Sequence, residues 1–302
     1  MAGLCSISID LDGMEQYAAL YGVERPPEAG SLSVAIERFE ELCRPTSLRG
    51  TLFVIASDLK DPALCDALRG AASRGHELAN HTRDHCYDLT LRSRAEMTEQ
   101  VAGAIALIEQ ATGQRPEGFR APGYTVSDEL FEVLAECGVS YDSSVFPCPS
   151  YYTLKAAKML AIRVSGRRSR AVLDRPSVLR APTRPYRVGR PYWVPGGGLR
   201  ELPIQVAGPL RMPFIGTTLS VLGPRAARVM TYTVLGESFV NLELHAIDFL
   251  DEHDGLTELA RHQVDLRIPV RRKMDTLSAV IETLRKAGFA FAPLAEAATA
   301  FF

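Results

Sequence analysis

The chain has 302 residues, with 34 lysines and arginines against 36 aspartates and glutamates and a net charge of −2 at pH 7. Apolar residues make up 46% of the sequence and charged residues 23%. This composition matches a globular protein and excludes a disordered, collagen-like or fibrous chain. The charge balance also excludes a protein that is basic throughout.

The N-terminal residues and the cysteines predict a cytoplasmic location. The first residues lack the positively charged region and the cleavage site of a secretory signal. No uninterrupted apolar run is long enough to cross a bilayer. The six cysteines are scattered and form no C-x-x-C pair, so we expect reduced thiols.

Short β-branched runs alternate with amphipathic stretches, which predicts βα units around a mainly parallel sheet. The length allows two domains or one large α/β barrel. Helix boundaries are indicated by Asp61-Pro62, by Ser93 with Glu96, and by Gly75, Gly113 and Gly138. The strand candidates are residues 4–10, 50–56, 76–80, 117–120, 139–142, 201–206 and 239–245.

Residues 155–200 break this alternation. They contain twelve lysines and arginines and a single acid, Asp174, a net charge of +11. The segment is also rich in proline, so we interpret it as a long elaboration on a barrel rather than a second domain.

Two acids, Asp10 and Asp12, close the first apolar run. Buried carboxylates at a strand end need a cation or hydrogen-bond donors. The alternative is that they are turn residues before Gly13.

Two histidines, His81 and His85, follow the third strand candidate. A gap of four predicts that both imidazoles lie on one face of a helical turn and share a divalent ion. With one carboxylate they would make a three-ligand catalytic site that leaves a coordination position open. A solvated surface pair is the alternative.

Three further strand candidates end in residues that can carry chemistry. Arg120 begins the run Arg120-Ala121-Pro122-Gly123-Tyr124, where the arginine could pair with a buried carboxylate and the turn could direct backbone N–H groups at a ligand. Asp142 and His245 end two other runs, although a lone histidine on an apolar strand is more often a core residue. In a parallel barrel all these strand ends converge on one face.

These ordered motifs resemble the polysaccharide deacetylases (NodB homology, carbohydrate esterase family 4). Ser8 to Asp12 resembles the D-x-D form of the family's first motif, and Gly75 to His85 is similar to its G-H-E-x-x-N-H-[ST]-x-x-H motif. Arg120 to Tyr124 fits R-x-P-x-Y, Tyr141 to Ser144 resembles a fourth motif, and Leu242 to His245 a fifth. The resemblance covers about residues 4–146 and 201–292, and it differs from the usual fifth motif at Glu243.

The resemblance implies an α/β fold, a distorted (β/α)7-type barrel, in a single catalytic domain over residues 1–302 with a basic insertion at about 147–200. It implies Zn²⁺ or another divalent metal and a hydrolase acting on a carbon–nitrogen bond. The implied metal ligands are Asp12, His81 and His85. The implied catalytic residues are Asp10 as general base held by Arg120, Tyr124 as oxyanion donor through its N–H, and His245 as general acid oriented by Asp142.

The implied reaction is removal of an N-acetyl group from an amino sugar or glycoconjugate. Deformylation or cyclic amide hydrolysis on the same fold, and a non-catalytic carbohydrate-binding protein, are the alternatives.

In the basic segment, arginines interleaved with aromatic residues predict a grip on a phosphate- or lipid-linked sugar at the inner leaflet. The substrate candidates are Arg184, Arg187, Arg190, Tyr192 and Trp193. A solvated loop is the alternative, and we expect no nucleic acid partner because the rest of the chain is acidic. The sequence does not set the oligomeric state.

Overall fold

A computed structural model of the chain describes residues 3–21, 30–164 and 172–302. The strands are β1 (Leu4–Asp10), β2 (Thr51–Val54), β3 (Glu77–Asn80), β4 (Gly118–Phe119), β5 (Tyr141–Asp142), β6 (Tyr186–Val188), β7 (Pro195–Glu201), β8 (Val206–Ala207), β9 (Met212–Pro213), β10 (Phe239–His245) and β11 (Ala290–Phe291). The α-helices are α1 (Met14–Tyr21), α2 (Ser31–Cys43), α3 (Pro62–Ser73), α4 (Arg94–Thr112), α5 (Asp128–Glu136), α6 (Pro149–Val164), α7 (Gly216–Tyr232), α8 (Val270–Lys286) and α9 (Leu294–Phe301).

The predicted strands are confirmed except for residues 201–206. β7 ends at Glu201, where the predicted strand began, and β8 begins at Val206, where the predicted strand ended. The cause is Pro203, which has no backbone N–H to donate to a ladder. Leu202 and Ile204 still donate backbone hydrogen bonds to Asp142 and Val145.

The predicted helix boundaries are also confirmed. The Asp61 carboxylate accepts from the Ala63 N–H at the start of α3, with Pro62 in the first turn. Ser93 and Glu96 form a capping box at the start of α4. Gly113 ends α4 with a positive φ of 76°, a conformation that glycine adopts without steric cost.

The chain forms two compact units. The first comprises Met1–Leu52, Asp58–Glu77 and Phe214–Pro293, and the second comprises Phe53–Ser57, Leu78–Pro213 and Leu294–Phe302. The single catalytic domain over residues 1–302 stays a prediction.

In the first unit, β1 pairs in parallel with β10 along its whole length, and with β11 at its start. Both long strands are buried on both faces, as is usual in parallel sheets. The register runs from Leu4 opposite Phe239 to Asp10 opposite His245. The carboxyl ends of the two strands are therefore level, and this places Asp10 beside His245.

In the second unit, β3, β4, β5 and β7 are parallel neighbours in that order, and β6 adds to β7 in the antiparallel direction. The register pairs Asp142 with Glu201 and Glu201 with Tyr186. Apolar side chains of α4 and α5 form a core with Tyr186 and Tyr192. The basic insertion thus contributes a hairpin to the sheet and side chains to the core of this unit.

Within the part of the chain that the structure describes, no helix has the length and apolar character needed to cross a membrane.

Candidate active site

The first unit carries an acidic cluster at the ends of β1 and β10. Asp10 and Asp12 are 1% and 6% exposed. The Nδ1 atom of His245 lies 2.8 Å from Oε1 of Glu243, and its Nε2 atom lies 3.9 Å from Oδ2 of Asp12. Oxygen and nitrogen atoms of Asp10, Glu243 and His245 lie within 4.8 Å of one another. The structure therefore brings together three of the predicted site residues and adds Glu243.

The acidic neighbours in this cluster favour the protonated form of His245. Burial by itself lowers the pKa of the imidazole, but the contact with Glu243 and the charges of Asp12 and Asp10 outweigh burial and raise the pKa well above its usual value. An imidazole that keeps its proton near neutral pH can act as a general acid.

The residue that contacts the Nδ1 atom of His245 is Glu243, whereas the sequence analysis assigned this orienting role to Asp142. Glu243 is 0% exposed and lies two positions before His245 on β10. Side chains two apart on a strand point to the same face. The departure from the usual fifth motif thus supplies the carboxylate that orients the histidine.

The backbone of His245 is also fixed. The N–H of His245 donates to Oδ2 of Asp248 at 2.9 Å in the turn after β10. Burial raises the pKa of Asp248 to about 7, and the positive charge of His245 opposes this rise.

In the second unit, His81 and His85 lie in a loop after β3. The two residues are 2% and 4% exposed, and their ring centroids are 5.1 Å apart. The predicted helical turn is wrong, because Thr82 and His85 adopt left-handed φ values of 68° and 52° that interrupt a helix. The two imidazoles still lie next to each other. Because both residues are buried, the alternative of a solvated surface pair is wrong.

The loop is held by hydrogen bonds that also set the tautomer of His81. The Nδ1–H of His81 donates to the carbonyl oxygen of Arg120 at 2.8 Å, which leaves Nε2 as the atom that can bind a metal. The N–H of Thr82 donates to the Asn80 side chain at 2.7 Å. Non-glycine residues in left-handed conformations often mark functional loops that the surrounding structure holds in place.

Arg120 is wholly buried, with 0% exposure. Its Nε donates to the Ser143 carbonyl at 2.7 Å, and its Nη2 donates to the Ser143 hydroxyl at 2.8 Å. Its guanidinium lies 4.1 Å from the centre of the Phe53 ring. The interaction in which Arg120 holds the charge of Asp10 stays a prediction.

Below Arg120 lies a buried acid pair that the sequence analysis missed. Asp142 and Glu201 are both 0% exposed. Asp142 accepts from the Ser144 hydroxyl at 2.7 Å and from the Ser144 N–H at 3.0 Å, and Glu201 accepts from the Val145 N–H at 3.0 Å. The pKa of Glu201 is raised well above its usual value, mainly by burial and also by the charge of Asp142. The charge of Asp142 therefore favours the protonated form of Glu201.

Tyr124 lies in the tight turn Pro122–Tyr124 with a left-handed φ of 60°. Its backbone N–H donates to the Ala121 carbonyl at 3.0 Å. The predicted role of this N–H as an oxyanion donor stays a prediction. The ring of Tyr124 is 6% exposed and packs against Phe146.

The aromatic substrate candidates in the insertion have structural contacts. Tyr192 is 1% exposed, lies in the core of the second unit, and donates its hydroxyl to Asp174 at 3.1 Å. Trp193 packs against the same core. A sugar cannot stack on a ring that the core covers, so the prediction for Tyr192 is wrong.

The arginine candidates are more exposed than these rings. Arg190 pairs with Glu132 on α5. Arg187 donates to the Gly198 carbonyl and lies 5.4 Å from the Phe302 ring centre. The predicted substrate role of Arg184, Arg187 and Arg190 stays a prediction. Three other arginines of the basic segment, Arg167, Arg168 and Arg170, lie outside the described residues.

Comparison with known proteins shows a similarity to the polysaccharide deacetylases over part of the chain. The family model for polysaccharide deacetylase matches residues 33–141. A peptidoglycan deacetylase of Helicobacter pylori is 24% identical over 147 residues, which is 47% of this chain and 49% of that protein. The chain thus spans about half the length of the curated relative that it matches.

Solved structures show the same fold. A Mycobacterium smegmatis protein assigned to the polysaccharide deacetylases has a TM-score of 0.58 at 17% identity, over 99% of this chain and 90% of that one. A carbohydrate esterase family 4 pseudoenzyme of Bacillus anthracis has a TM-score of 0.51 at 12% identity, over 98% of this chain and 65% of that one. These likenesses confirm the α/β class and the distorted (β/α)7-type barrel. The family match over residues 33–141 and the ordered motifs show that this part of the chain is similar to the polysaccharide deacetylases.

Proposed function

We propose that this chain is a metal-dependent amide hydrolase that removes an N-acetyl group from an amino sugar in a glycan. The observation that carries the proposal is the buried cluster in which Asp10 lies beside His245. The acidic neighbours of His245 raise its pKa well above the usual value. A general base and a general acid at adjacent strand ends are what amide hydrolysis requires. The deacetylase named among the relatives supports the same reaction class.

The residues fit a divalent metal. His81 and His85 offer two buried imidazoles, and the carbonyl of Arg120 fixes the proton of His81 on Nδ1. Two imidazoles and one carboxylate form a donor set typical of catalytic zinc, although other divalent ions accept the same ligands. We assign the carboxylate to Asp12. When bound, such an ion supplies a Lewis acid that activates water and polarises the amide carbonyl.

The protein side chains move the protons. Water attacks the carbonyl carbon of the acetamide while Asp10 accepts a proton from the water. His245 then donates its proton to the amine nitrogen as the carbon–nitrogen bond breaks, and acetate and the free amine leave. Glu243 favours the protonated imidazole before this step through its charge and its contact with Nδ1.

A panel of substrates tests the proposal. Purified protein supplied with Zn²⁺ is incubated with an N-acetylated amino sugar oligomer, an N-formyl analogue and a cyclic imide, and acetate, formate and ring opening are measured. Acetate as the main product supports the proposal. Preferential formate release or ring opening would assign the reaction to the alternative amide hydrolases. No turnover of any substrate would favour the non-catalytic carbohydrate-binding alternative.

The finer predictions about substrate and location remain open to experiment. Cytoplasmic location, association with the inner leaflet, and a phosphate or lipid link on the sugar stay predictions. The contacts of Arg187 and Arg190 with the protein itself give the anionic link less support than the sequence did.

A further inference from the structure

Helix α4 in the second unit buries a glutamine within its apolar face. Gln100 is 3% exposed, and the buried face of the helix on which it lies also carries Met97, Val101 and Ala104. A buried amide raises the free energy of the folded state unless hydrogen bonds satisfy its donors and its acceptor. The motifs described above do not include Gln100, so its partners must explain its position.

The side chain of Gln100 makes two hydrogen bonds to Asp84, the residue directly before His85. Its Oε1 accepts from the Asp84 N–H at 3.0 Å, and its Nε2 donates to Oδ2 of Asp84 at 2.7 Å. Because a backbone N–H only donates and a carboxylate only accepts, these two partners fix the orientation of the amide. A glutamine satisfies both partners, whereas a carboxylate in its place would lack the donor.

Backbone hydrogen bonds hold the rest of the segment between the two histidines, here called loop 81–85. The Thr82 carbonyl accepts from the Ala56 N–H at 3.1 Å, and the Arg83 carbonyl accepts from the Ser57 N–H at 2.8 Å. The Arg83 N–H donates to the Gln100 carbonyl at 3.0 Å. Gln100 therefore supports this loop with its backbone and with its side chain.

One turn of α4 contacts the residue that precedes each histidine. Gln100 binds Asp84, and the carbonyl of its neighbour Val101 accepts from Nδ2 of Asn80 at 3.0 Å. Asn80 and Asp84 directly precede the two histidines in the chain. The position of one imidazole relative to the other thus depends on two adjacent residues of the helix.

Loop 81–85 needs this support because its backbone is strained. Thr82 and His85 have φ values of 68° and 52°, a region that residues with a side chain occupy only where the surrounding structure holds them. His81 is fixed through its own ring by the Arg120 carbonyl. For His85, the support from Gln100 acts on the preceding residue.

We propose that Gln100 is a positioning residue for the divalent metal, because it fixes Asp84 and thereby holds His85 in place for the ion. The inference rests on the proposed function, in which His81 and His85 bind that metal. Residues that orient metal ligands typically change metal affinity by about 10-fold to 100-fold when they are removed. Loss of the Gln100 side chain should therefore weaken metal binding although no ligand is lost.

Metal affinity measures the role of Gln100 without any substrate. The dissociation constant for Zn²⁺ is determined by competition with a chromogenic chelator, for the wild-type chain and for Gln100→Ala. We expect Gln100→Ala to raise it about 10-fold. Gln110→Ala, at an exposed position of the same helix, is the matched control and should change it by less than about 2-fold.

An exchange of donor and acceptor tests the contact itself. Gln100→Glu places two carboxylates opposite each other and should raise the dissociation constant at least as much as Gln100→Ala. Asp84→Asn in the same chain supplies an amide that donates to the introduced carboxylate and restores the net charge of the pair. We expect the double substitution to bind Zn²⁺ within about 3-fold of wild type, since the two residues are in contact and their effects are not additive.

Unfolding of the metal-free proteins in urea is measured alongside. If Gln100 were merely structural, its substitution would change unfolding and leave the Zn²⁺ dissociation constant of the folded protein unchanged. That result would overturn the inference, as would a folded double variant that binds Zn²⁺ as weakly as Gln100→Glu alone. If Gln100→Ala does not fold, Gln100→Glu provides the same comparison with wild type.

Acetate release by the wild-type chain is scored separately from metal affinity. Absence of release, together with the expected changes in the Zn²⁺ dissociation constant, would reject the proposed function and keep the role of Gln100. Normal release with equal metal affinity in all variants would keep the proposed function and reject the role of Gln100.

Discussion

The two units contain buried carboxylates that are neutralised in different ways. In the first, Glu243 and its acidic neighbours surround the imidazole of His245, and their charges raise its pKa. In the second, Asp142 and Glu201 lie near one guanidinium, that of Arg120, and burial raises the pKa of both carboxyl groups. In the first unit, buried negative charge is therefore balanced by an imidazole. In the second unit, it is reduced because a carboxyl group favours its neutral form.

The two groups differ in whether their proton can be transferred to a substrate. An imidazolium at a half-buried strand end can give up its proton to a substrate and regain it from water. A neutral carboxyl group with 0% exposure holds its proton as part of the hydrogen-bond network. Substitutions in the first unit should therefore change turnover, and those at the acid pair should change stability.

We expect the largest effect from substitutions in the loop after β3 that carries His81 and His85. Replacing both His81 and His85 with alanine should reduce bound divalent metal from about one ion per chain to almost none, because the donor set loses two of its three ligands. Metal analysis after dialysis measures this. His253→Ala, whose imidazole is largely exposed, is the control and should retain the metal. Equal metal content in all three proteins would exclude the assignment.

The second prediction distinguishes the general base from the metal ligand at the end of β1. Asp10→Asn keeps the size of the side chain but removes its basicity, so kcat should fall by a factor of about 10² to 10⁴ with metal retained. Asp12→Asn should instead lower the metal content. The reverse pattern, with metal lost from Asp10→Asn only, would exchange the two roles.

A smaller loss is expected at the orienting carboxylate. Glu243→Gln should lower kcat by about 10-fold to 10²-fold, because the imidazole loses the charge that favours its protonated form. Since the pKa of His245 falls, the alkaline limb of the kcat profile should move to lower pH. Glu258→Gln, on the exposed surface of the same unit, is the control. An unchanged profile would mean that Glu243 does not act on His245.

The acid pair should respond in stability against pH. A folded-state pKa above the ordinary value means that the stability from Glu201 is fully present below about pH 4.5 and is lost as pH rises toward the folded pKa. Glu201→Gln keeps a neutral donor and should flatten this decline in urea unfolding between pH 5 and 8. The exposed Glu117→Gln is the control. An equal slope in Glu201→Gln and wild type would show that Glu201 is not the neutral partner.

The strand-end residues could be predicted because each follows an apolar run that is visible in the sequence. Glu243 also carried a signal, since it lies two positions before His245 and so shares its face of the strand. Glu201 carried none, because its pairing with Asp142 depends on a register between strands that the whole insertion separates. Tyr192 was misjudged because local composition does not tell whether an aromatic ring faces solvent or a core.

The smallest effect is expected at the arginines of the insertion. Reversing the charges of Arg184, Arg187 and Arg190 together should change KM for a neutral oligosaccharide by less than about 2-fold, because exposed charges contribute little to binding an uncharged ligand. Kinetics at two salt concentrations measure this. A large rise in KM that is confined to a phosphate-linked substrate would restore the anionic substrate predicted from the sequence.

The central claim is that a divalent metal and the cluster of Asp10 and His245 together hydrolyse an acetamide. The most direct measurement is acetate release from a neutral N-acetylated amino sugar oligomer by the wild-type chain after removal of metal with a chelator and again after addition of Zn²⁺. We expect release to stop on chelation and to return with the metal, with slow release in Asp10→Asn at the same metal content. Acetate release that persists without metal, or none from fully loaded wild type, would contradict the claim.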